Sequence, residues 1–169
     1  MLPNMPKAFN VFMEDESWVG RFTEVGVGKV TRKMEDYRGG GMPGNVKVDL
    51  GYEMPEIEVT LAEYTPSIIR KWGECEHDGV LMRLLSGTQN DGPGCKVDHV
   101  EMVIRGRPME YDFGSWKPGD LTNTKVQLVT SYFKFQINDD TLIELDPVNM
   151  IEVVGGIDRF EKLRAAIAV

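Results

Sequence analysis

Apolar and polar residues alternate along much of the chain, with the two-residue period of β-strands that bury one face. In the segment 56–62, for example, Ile57, Val59 and Leu61 occupy one face, and acidic or hydroxyl side chains occupy the other. Each segment with this pattern is predicted to be a half-buried strand. The predicted strands of this kind are 46–52, 56–62, 97–105, 107–113 and 124–137.

Turn residues separate further predicted strands. Near the N-terminal end, Phe9–Met13 and Trp18–Phe22 flank a polar turn at 14–17, and another strand is predicted over Glu24–Met34. Asn138-Asp139-Asp140 predicts a hairpin turn into a short strand, because Asn and Asp tolerate the positive φ that tight hairpins need. The sequence therefore predicts many short strands connected by turns.

Helical signals are few. Thr65 is a favoured N-cap residue, and Pro66 suits the first position of a helix. Asp146-Pro147 repeats this signature and predicts about one further turn of helix. The apolar face of the helix that starts at Pro66 consists of Ile68, Ile69 and Trp72.

The C-terminal segment predicts a second, short helix. Asp158 and Glu161 resemble a capping box at its start. The apolar residues Phe160, Leu163 and Ile167 follow at helical spacing. We expect this apolar face to pack on the sheet.

Composition and charge narrow the classes of function. The 169 residues fit one domain, spanning 1–169, and 41% of them are hydrophobic. The 27 acidic residues outnumber the 19 basic ones, which gives a formal net charge of −8. Such a protein lacks the clustered cations that grip nucleic-acid phosphates, but its repulsion would let nucleic acid pass without sticking.

Targeting signals are not evident, so we expect synthesis in the cytoplasm. The segment 1–6 has no basic region followed by a long apolar run, as a secretion signal would have. No segment approaches the roughly 18 apolar residues of a membrane span. Two cysteines are too few for a disulfide framework.

Cys75, His77, Cys95 and His99 are the residues that suggest a metal. Zinc binds two cysteines and two histidines in a tetrahedral site, and the two pairs would share a face if they lay on adjacent strands. Their order and spacing match no common zinc finger, and surface histidines and small apolar cysteines have ordinary roles. We predict that no metal is bound. If a metal were bound, these four residues would be its candidate ligands.

Two glycine-rich segments, near 37–45 and 87–94, show no periodic pattern and are predicted to be irregular loops. The first has four glycines but lacks the Lys-Ser or Lys-Thr pair of a phosphate-binding loop. It also leads into a predicted strand, whereas phosphate loops lead into the N-terminus of a helix. We interpret it as a mobile loop.

No arrangement of residues predicts an enzyme. The chain contains no Gly-x-Ser-x-Gly motif, and His77 and His99 are its only imidazole bases. Paired carboxylates such as Asp139-Asp140 are common on solvated turns and predict no chemistry without a pocket. The aromatic residues in 132–135 are better explained as core and interface residues than as platforms for nucleic-acid bases.

Six short motifs follow one another from about residue 8 to the C-terminal end. They are Asn10-Val11-Phe12, Trp18-Val19-Gly20, Lys33–Met42, Val46–Glu53, Asp146–Met150 and Gly155–Arg159. Each motif is short, but in this order and spacing the chain resembles the major tail tube proteins of contractile-tailed bacteriophages. That family includes the tubes of phage-derived R-type bacteriocins. The run Gly39–Gly41 has one glycine more than the family pattern.

The resemblance implies an antiparallel β-sandwich or barrel-like subunit with one internal helix and a short C-terminal helix. It implies neither catalysis nor a cofactor. Six subunits would close into a ring, and rings would stack into a hollow tube inside a contractile sheath, through which DNA would pass without specific binding. The partners would be sheath, baseplate and tail terminator proteins. The location would be the virion tail, after synthesis in the host bacterial cytoplasm.

Two sets of residues are candidates for assembly and transit. An inter-ring loop, flexible when free and ordered on stacking, is expected in Tyr37, Arg38, Gly39, Gly40, Gly41, Met42, Pro43 and Gly44. Carboxylates opposite the apolar positions of their own strands are candidates for the wall of the lumen. These are Glu56, Glu58, Glu101, Glu110 and Asp112. Alternation assigns them to one face of a strand but does not say what that face meets.

Other functions would account for some of the same sequence features. A bacteriocin tube would carry no genome, and a type VI-like contractile injection system would carry effectors in place of DNA. From a different class, the chain would be a soluble β-rich binding module stabilised by zinc at the four Cys and His residues. Metal analysis of the purified protein separates that module from a tube.

Overall fold

Strands make up most of the structure, a computed structural model that describes residues 2–120 and 122–168. The described part is mainly β, with one internal and one C-terminal α-helix, as predicted. In chain order the elements are β1 (Asn4–Met13), β2 (Glu16–Ser17), β3 (Phe22–Gly26), β4 (Thr31–Tyr37), β5 (Val46–Glu53), β6 (Glu56–Leu61), α1 (Pro66–Arg70), β7 (Val80–Asn90), β8 (Val97–Asp112), β9 (Thr124–Ile137), β10 (Asp140–Asp146), β11 (Ile151–Val154), β12 (Ile157–Asp158) and α2 (Glu161–Ala166).

Ten of these strands form one sheet with antiparallel pairing throughout. Its continuous order is β12-β11-β10-β9-β8-β7-β1-β2, while β6 pairs with β9 and β3 pairs with β6. Strands β4 and β5 form a separate two-stranded hairpin. Within the described residues no pairing joins β3 to β1 or β2, so the large sheet stays open and does not close into a barrel.

Strand β9 is the branch point of the large sheet. Strand β8 pairs along one edge of β9 over most of its length. On the other edge, the first half of β9 pairs with β6 and the second half pairs with β10. The sheet therefore forks at β9, and the β6–β3 branch supplies three of the most deeply buried side chains, Ile57, Val59 and Leu61.

One apolar core joins the two branches of the fork. It contains buried side chains from β1, β3, β6, β7, β8, β9, β10 and α1, together with Trp18. Burial of an aliphatic side chain of this kind stabilises the fold by about 1.5–3 kcal/mol relative to exposure. The alternation predicted for 56–62 is confirmed, since its apolar residues lie in the core and its acidic residues are exposed.

Strand β8 is continuous where the sequence predicts two strands, 97–105 and 107–113. Its register against β9 shifts between Pro108 and Glu110. An extra residue in one strand reverses the side-chain alternation beyond it, so Ile104 and Tyr111 both face the core although they are an odd number of residues apart. The two predicted strands are one strand interrupted by a β-bulge.

The strand predicted over Glu24–Met34 is wrong, because the chain leaves the sheet after β3 and starts a new strand at Thr31. Gly28 lies in this break with a φ of +67°. A Cβ atom placed there would lie 2.3 Å from the carbonyl oxygen of Glu56, so only glycine fits this approach. The prediction of a strand over Trp18–Phe22 is also wrong, since most of that segment forms a turn.

Two further predicted boundaries need correction. The segment 87–94 is not irregular throughout, since β7 continues to Asn90 and only the tip of the β7–β8 hairpin follows it. Asp146-Pro147 starts a turn between β10 and β11 and not a helix. The Asp146 carboxylate accepts a hydrogen bond from the backbone N–H of Asn149 at 3.0 Å, which closes that turn.

Both helices are short. Helix α1 begins at Pro66 as predicted, buries Ile68 in the core and continues into a 3₁₀ turn at Lys71–Gly73. Helix α2 has six residues. In the part of the chain that the structure describes, no helix has the length and apolar character needed to cross a bilayer.

The expectation that α2 packs on the sheet is wrong. None of its six described side chains is buried, and Leu163 is about half exposed. Polar contacts hold the helix in place, because the Arg164 guanidinium pairs with Asp158 and donates to the carbonyl oxygen of Met150 at 2.7 Å. Ionic contacts fix its position and leave its apolar side chains to the surface.

A comparison of two leucines tests this placement. Leu163→Ala is expected to lower the free energy of unfolding by less than about 1 kcal/mol, because surface side chains contribute little. Leu61→Ala in β6, the matched control, removes a fully buried side chain and should cost about 2–5 kcal/mol. Urea denaturation of the unassembled subunit measures both. Equal losses would show that α2 packs on the sheet in solution.

Candidate assembly surfaces

The β4–β5 hairpin exposes apolar residues that the rest of the described chain does not cover. Tyr37 pairs with Val46, and Val48 and Leu50 follow at alternate positions of β5, so the four share one face, on which Glu35 also lies opposite Val48. Their side chains are between 39 and 55% exposed. We call these four residues the hairpin apolar face. The strand predicted over 46–52 is confirmed, but the expectation that it is half-buried is wrong for the isolated subunit.

The opposite face of the hairpin is charged. Lys47 approaches Asp36 at 3.5 Å, and Arg32 pairs with Asp49. Exposed pairs of this kind contribute at most about 1 kcal/mol each. Met34 also lies on this face, opposite Asp49. The hairpin is thus broadly amphipathic, with one mainly charged face and one mainly apolar face.

The predicted loop 37–44 forms the tip of this hairpin. The backbone N–H of Met42 donates to the carbonyl oxygen of Gly39 at 3.2 Å, and the side chain of Arg38 donates to the carbonyl oxygen of Met42 at 3.2 Å. Gly41 has a φ of +85°, which suits glycine. The tip therefore carries its own hydrogen bonds at the end of a protruding arm.

Arg32 connects the hairpin to the body of the subunit. Its guanidinium donates to the carboxylates of Asp49 on β5 and of Glu152 on β11, the latter at 2.9 Å. Glu152 is buried, and a buried carboxylate needs such a partner. The hydrogen bond to Asp49 is the main cause that raises the pKa of Arg32, with Glu152 adding to it.

Carboxylates gather on the outer face of β3, β6, β9 and β8. Glu58 lies opposite Gln127 on β9, and Gln127 lies opposite Glu110 on β8, so their side chains share the face that points away from the core. The exposed carboxylates of this surface, which we call the acidic face, are Glu24, Glu56, Glu58, Glu110 and Asp112. Four of the five lumen candidates lie here. Glu24 was missed because the pairing of β3 with β6 leaves no signal in the sequence.

Few cations offset the acidic face. Lys125 contacts Glu58 at 3.1 Å, and Glu56 accepts a hydrogen bond from the Gln127 amide at 2.6 Å. The contact with Glu58 is the main cause that raises the pKa of Lys125, and the charges of Glu24 and Asp112 add to it. Lys29 lines the same cleft as Glu56 and Glu58, and the exposed Arg107 lies opposite Val129, whose other neighbour is Glu56. Five carboxylates near three cations leave this surface with a net negative charge.

Glu101, the fifth lumen candidate, has a different environment. It lies on the same side of the sheet but in the other half of β8, roughly 30 Å along the strand from Glu110 at about 3.3 Å per residue. Its carboxylate is buried and pairs with Arg83 at 2.6 Å. Its charge is therefore largely compensated, and we do not group it with the acidic face.

The four candidate zinc ligands are not brought together. Cys75 and His77 lie in the exposed segment before β7, and Cys95 lies beyond the far end of that strand, about 35 Å away at 3.3 Å per residue. Both cysteines are free. The segment 75–77 is not a strand, so the premise of a shared face fails. Among the described residues no group of three or more His, Cys, Asp or Glu side chains is arranged to hold a metal, and the zinc-stabilised module is not supported.

The arm of the hairpin should depend on its anchor. The double variant Arg32→Met with Glu152→Gln removes the ion pair without leaving a buried charge, and amide exchange in β4 and β5 should rise about tenfold, because such a charged hydrogen bond contributes about 1.5 kcal/mol. Hydrogen exchange read by mass spectrometry measures this. Lys47→Met, which removes only an exposed pair on the same hairpin, should leave the rates nearly unchanged. Equal rates in the double variant would contradict the anchor.

Sequence and structure comparisons identify the family of this protein. A model of the phage tail tube protein FII family matches residues 3–167, and the chain belongs to that family. It is 37% identical to the tail tube protein of Escherichia phage P2 over 171 residues, covering 99% of each chain. It is 33% identical to the major tail tube protein of Serratia phage KSP20 over 155 residues, covering 89% of this chain and 86% of that one.

The fold also resembles a solved tube structure. The sheath–tube complex of PVC, an extracellular contractile injection system in its extended state, contains a chain with a TM-score of 0.60 and 15% identity. The match covers 79% of this chain and 91% of that chain. The family resemblance inferred from the motifs is confirmed: the protein is a structural subunit of a tail tube and not an enzyme.

Proposed function

We propose that six copies of this subunit close into a ring and that the rings stack into a hollow tube inside a contractile sheath, which conducts DNA into the host. The observation that carries this proposal is the hairpin apolar face. A protruding strand pair with four uncovered apolar side chains is an aggregation hazard on a monomer. It is useful in a subunit whose neighbours cover it.

Ring closure has a basis in the open sheet. Strand β3 pairs with β6 on one edge, and in the described residues its other edge has no strand partner. A free edge presents unpaired N–H and C=O groups, and antiparallel or parallel addition of a neighbouring strand satisfies them. A closed ring of subunits satisfies every such edge at once, whereas an open chain leaves two ends.

The acidic face is the proposed wall of the lumen. DNA that moves through a tube must not bind to it, and phosphate binding requires clustered cations. Glu24, Glu56, Glu58, Glu110 and Asp112 present five carboxylates, which outnumber the neighbouring cations Lys29, Arg107 and Lys125. Repetition of this surface around a ring gives a negative inner wall that repels the phosphate backbone. Glu101 is left out of this proposal because Arg83 compensates its charge.

The stacked tube would contact other proteins at its two ends and along its outer surface. A stack of rings has two ends, and we propose that a baseplate protein meets one and a tail terminator protein meets the other. The sheath would surround the tube, as the PVC complex named above contains both sheath and tube. We further propose that the subunit is made in the host bacterial cytoplasm and resides in the virion tail.

Electron microscopy with a hairpin variant tests the assembly. The purified wild-type protein should form rings that grow into tubes as its concentration rises. Deletion of Gly39–Gly44 shortens the tip of the arm without touching the core, so the subunit should fold normally and give rings but few or no tubes. Val148→Ala, at an exposed apolar residue in the β10–β11 turn outside the hairpin, serves as a surface control. A wild-type protein that stays monomeric at high protein concentration, whatever the salt concentration, would contradict the proposal.

Charge reversal tests the lumen. Glu56→Lys with Glu58→Lys replaces two negative charges by two positive ones, a change of +4 in each copy of the acidic face, and should slow DNA ejection from assembled particles because the new cations bind phosphate. The control is Glu16→Lys with Glu76→Lys, which makes the same change at exposed carboxylates outside that face. The rate of DNA ejection is measured from the fluorescence of a DNA-binding dye, either inside liposomes that receive the DNA or in solution. Wild-type rates in both variants would show that the charge of the inner wall is incidental.

A further inference from the structure

Five aromatic residues cluster at the end of the sheet where β8 stops and α1 begins. They are Tyr64, Trp72, Tyr111, Phe113 and Trp116, and we call them the aromatic patch. Phe113, Trp72 and Trp116 are 50, 59 and 84% exposed. Since a large aromatic side chain presents about 150–250 Å², these three expose roughly 400 Å² of mostly apolar surface. The largest apolar patch on a typical monomeric protein is of this size, about 300–600 Å², and such a patch is often a functional surface.

The patch is rigid. The Tyr64 hydroxyl donates to the carbonyl oxygen of Phe113 at 2.7 Å and accepts from the indole N–H of Trp116 at 2.6 Å. The Tyr111 hydroxyl donates to the carbonyl oxygen of Ile68 at 2.5 Å. Ring centroids of neighbouring members lie 5.5 to 6.5 Å apart. Aromatic side chains held in place before binding lose little conformational entropy when a partner covers them.

The aromatic patch and the hairpin lie at opposite ends of β6. The hairpin joins the body next to Glu56, where β6 starts, and Tyr64 follows Leu61, where β6 ends. Six residues at about 3.3 Å each separate the two ends by roughly 20 Å. A contact between opposite ends of two identical subunits is head-to-tail, and such a contact repeats from copy to copy without limit.

We infer that the aromatic patch is the docking surface for the hairpin apolar face of a second copy, in the adjacent ring of the tube. This rests on the proposed function, and it assigns the receiving side of the stacking contact. The two surfaces match in chemistry, since Tyr37, Val46, Val48 and Leu50 would meet aromatic rings. The polar atoms of Tyr64, Tyr111 and Trp116 already have hydrogen-bond partners within the subunit. Neither surface has another cover among the described residues.

The size of the contact explains why rings should stack and single subunits should not. A stable complex of two proteins buries about 800 Å² on each partner, and one hairpin on one patch provides roughly half of that. Six such contacts between two rings act together, and the second and later contacts form at a high effective concentration. Stacking therefore follows ring closure.

A paired substitution measures the contribution of the patch. Trp72→Ala with Trp116→Ala removes the two most exposed rings and should raise the protein concentration at which tubes form by tenfold or more, while rings still assemble. Val148→Ala, an exposed apolar residue in the β10–β11 turn, is the control and should leave this concentration unchanged. Thermal unfolding confirms that the variant folds. Normal tube growth by the double variant overturns the inference.

Cross-linking identifies the occupant. A benzophenone side chain in place of Trp116 is activated by light in preformed tubes built from mixed isotope-labelled and unlabelled chains. Cross-links to residues 31–53 of a different copy support the inference. Cross-links to other segments of a second tube subunit overturn it. Failure of the wild-type protein to make rings or tubes would contradict the proposed function itself, which separates the two failures.

Discussion

The pairing of β9 along both of its edges determines where the working surfaces of this subunit lie. Because β6 and β10 share one edge of β9, the sheet forks and a single core fills the space between its branches. The same pairing turns Glu56 and Glu58 to the side where Glu110 and Asp112 emerge from β8. It also sets the hairpin at one end of β6 and the aromatic patch at the other.

The subunit satisfies its own core but leaves apolar surface at both ends. The hairpin apolar face and the aromatic patch are uncovered within the described chain, and a formal net charge of −8 opposes close approach of identical copies. Association must therefore gain enough from apolar burial to offset like-charge repulsion, which salt screens over about 8–10 Å. An assembly held this way should form more readily as the ionic strength rises.

Local pattern predicted the elements whose residues pack within one subunit. The alternation of 56–62 and the Asn138-Asp139 turn are both confirmed, with positive φ at both turn residues. The family resemblance is confirmed by the comparisons. It rested on the order and spacing of several short motifs, none of which is specific to the family by itself.

Contacts between residues distant in sequence determine the features that the local pattern did not predict. The alternation of 46–52 predicts a strand but not that its apolar face lies outside the core. The helical spacing of Leu163 predicts a helix but not one held by Arg164. The gathering of Glu24 with carboxylates more than thirty residues away depends on strand pairing, which no local pattern encodes. The four Cys and His residues failed as a site for the same reason, since β7 separates them.

The central claim is that another copy covers the hairpin apolar face in the tube. Hydroxyl-radical footprinting of the protein before and after assembly measures this directly, because Tyr37 on the hairpin apolar face is exposed in the free subunit and its ring reacts readily. The account predicts that labelling of Tyr37, Val48 and Leu50 falls severalfold in tubes, while labelling of Val148 in the β10–β11 turn stays closer to its value in the free subunit. Hairpin residues that label equally in free subunits and in tubes would contradict it.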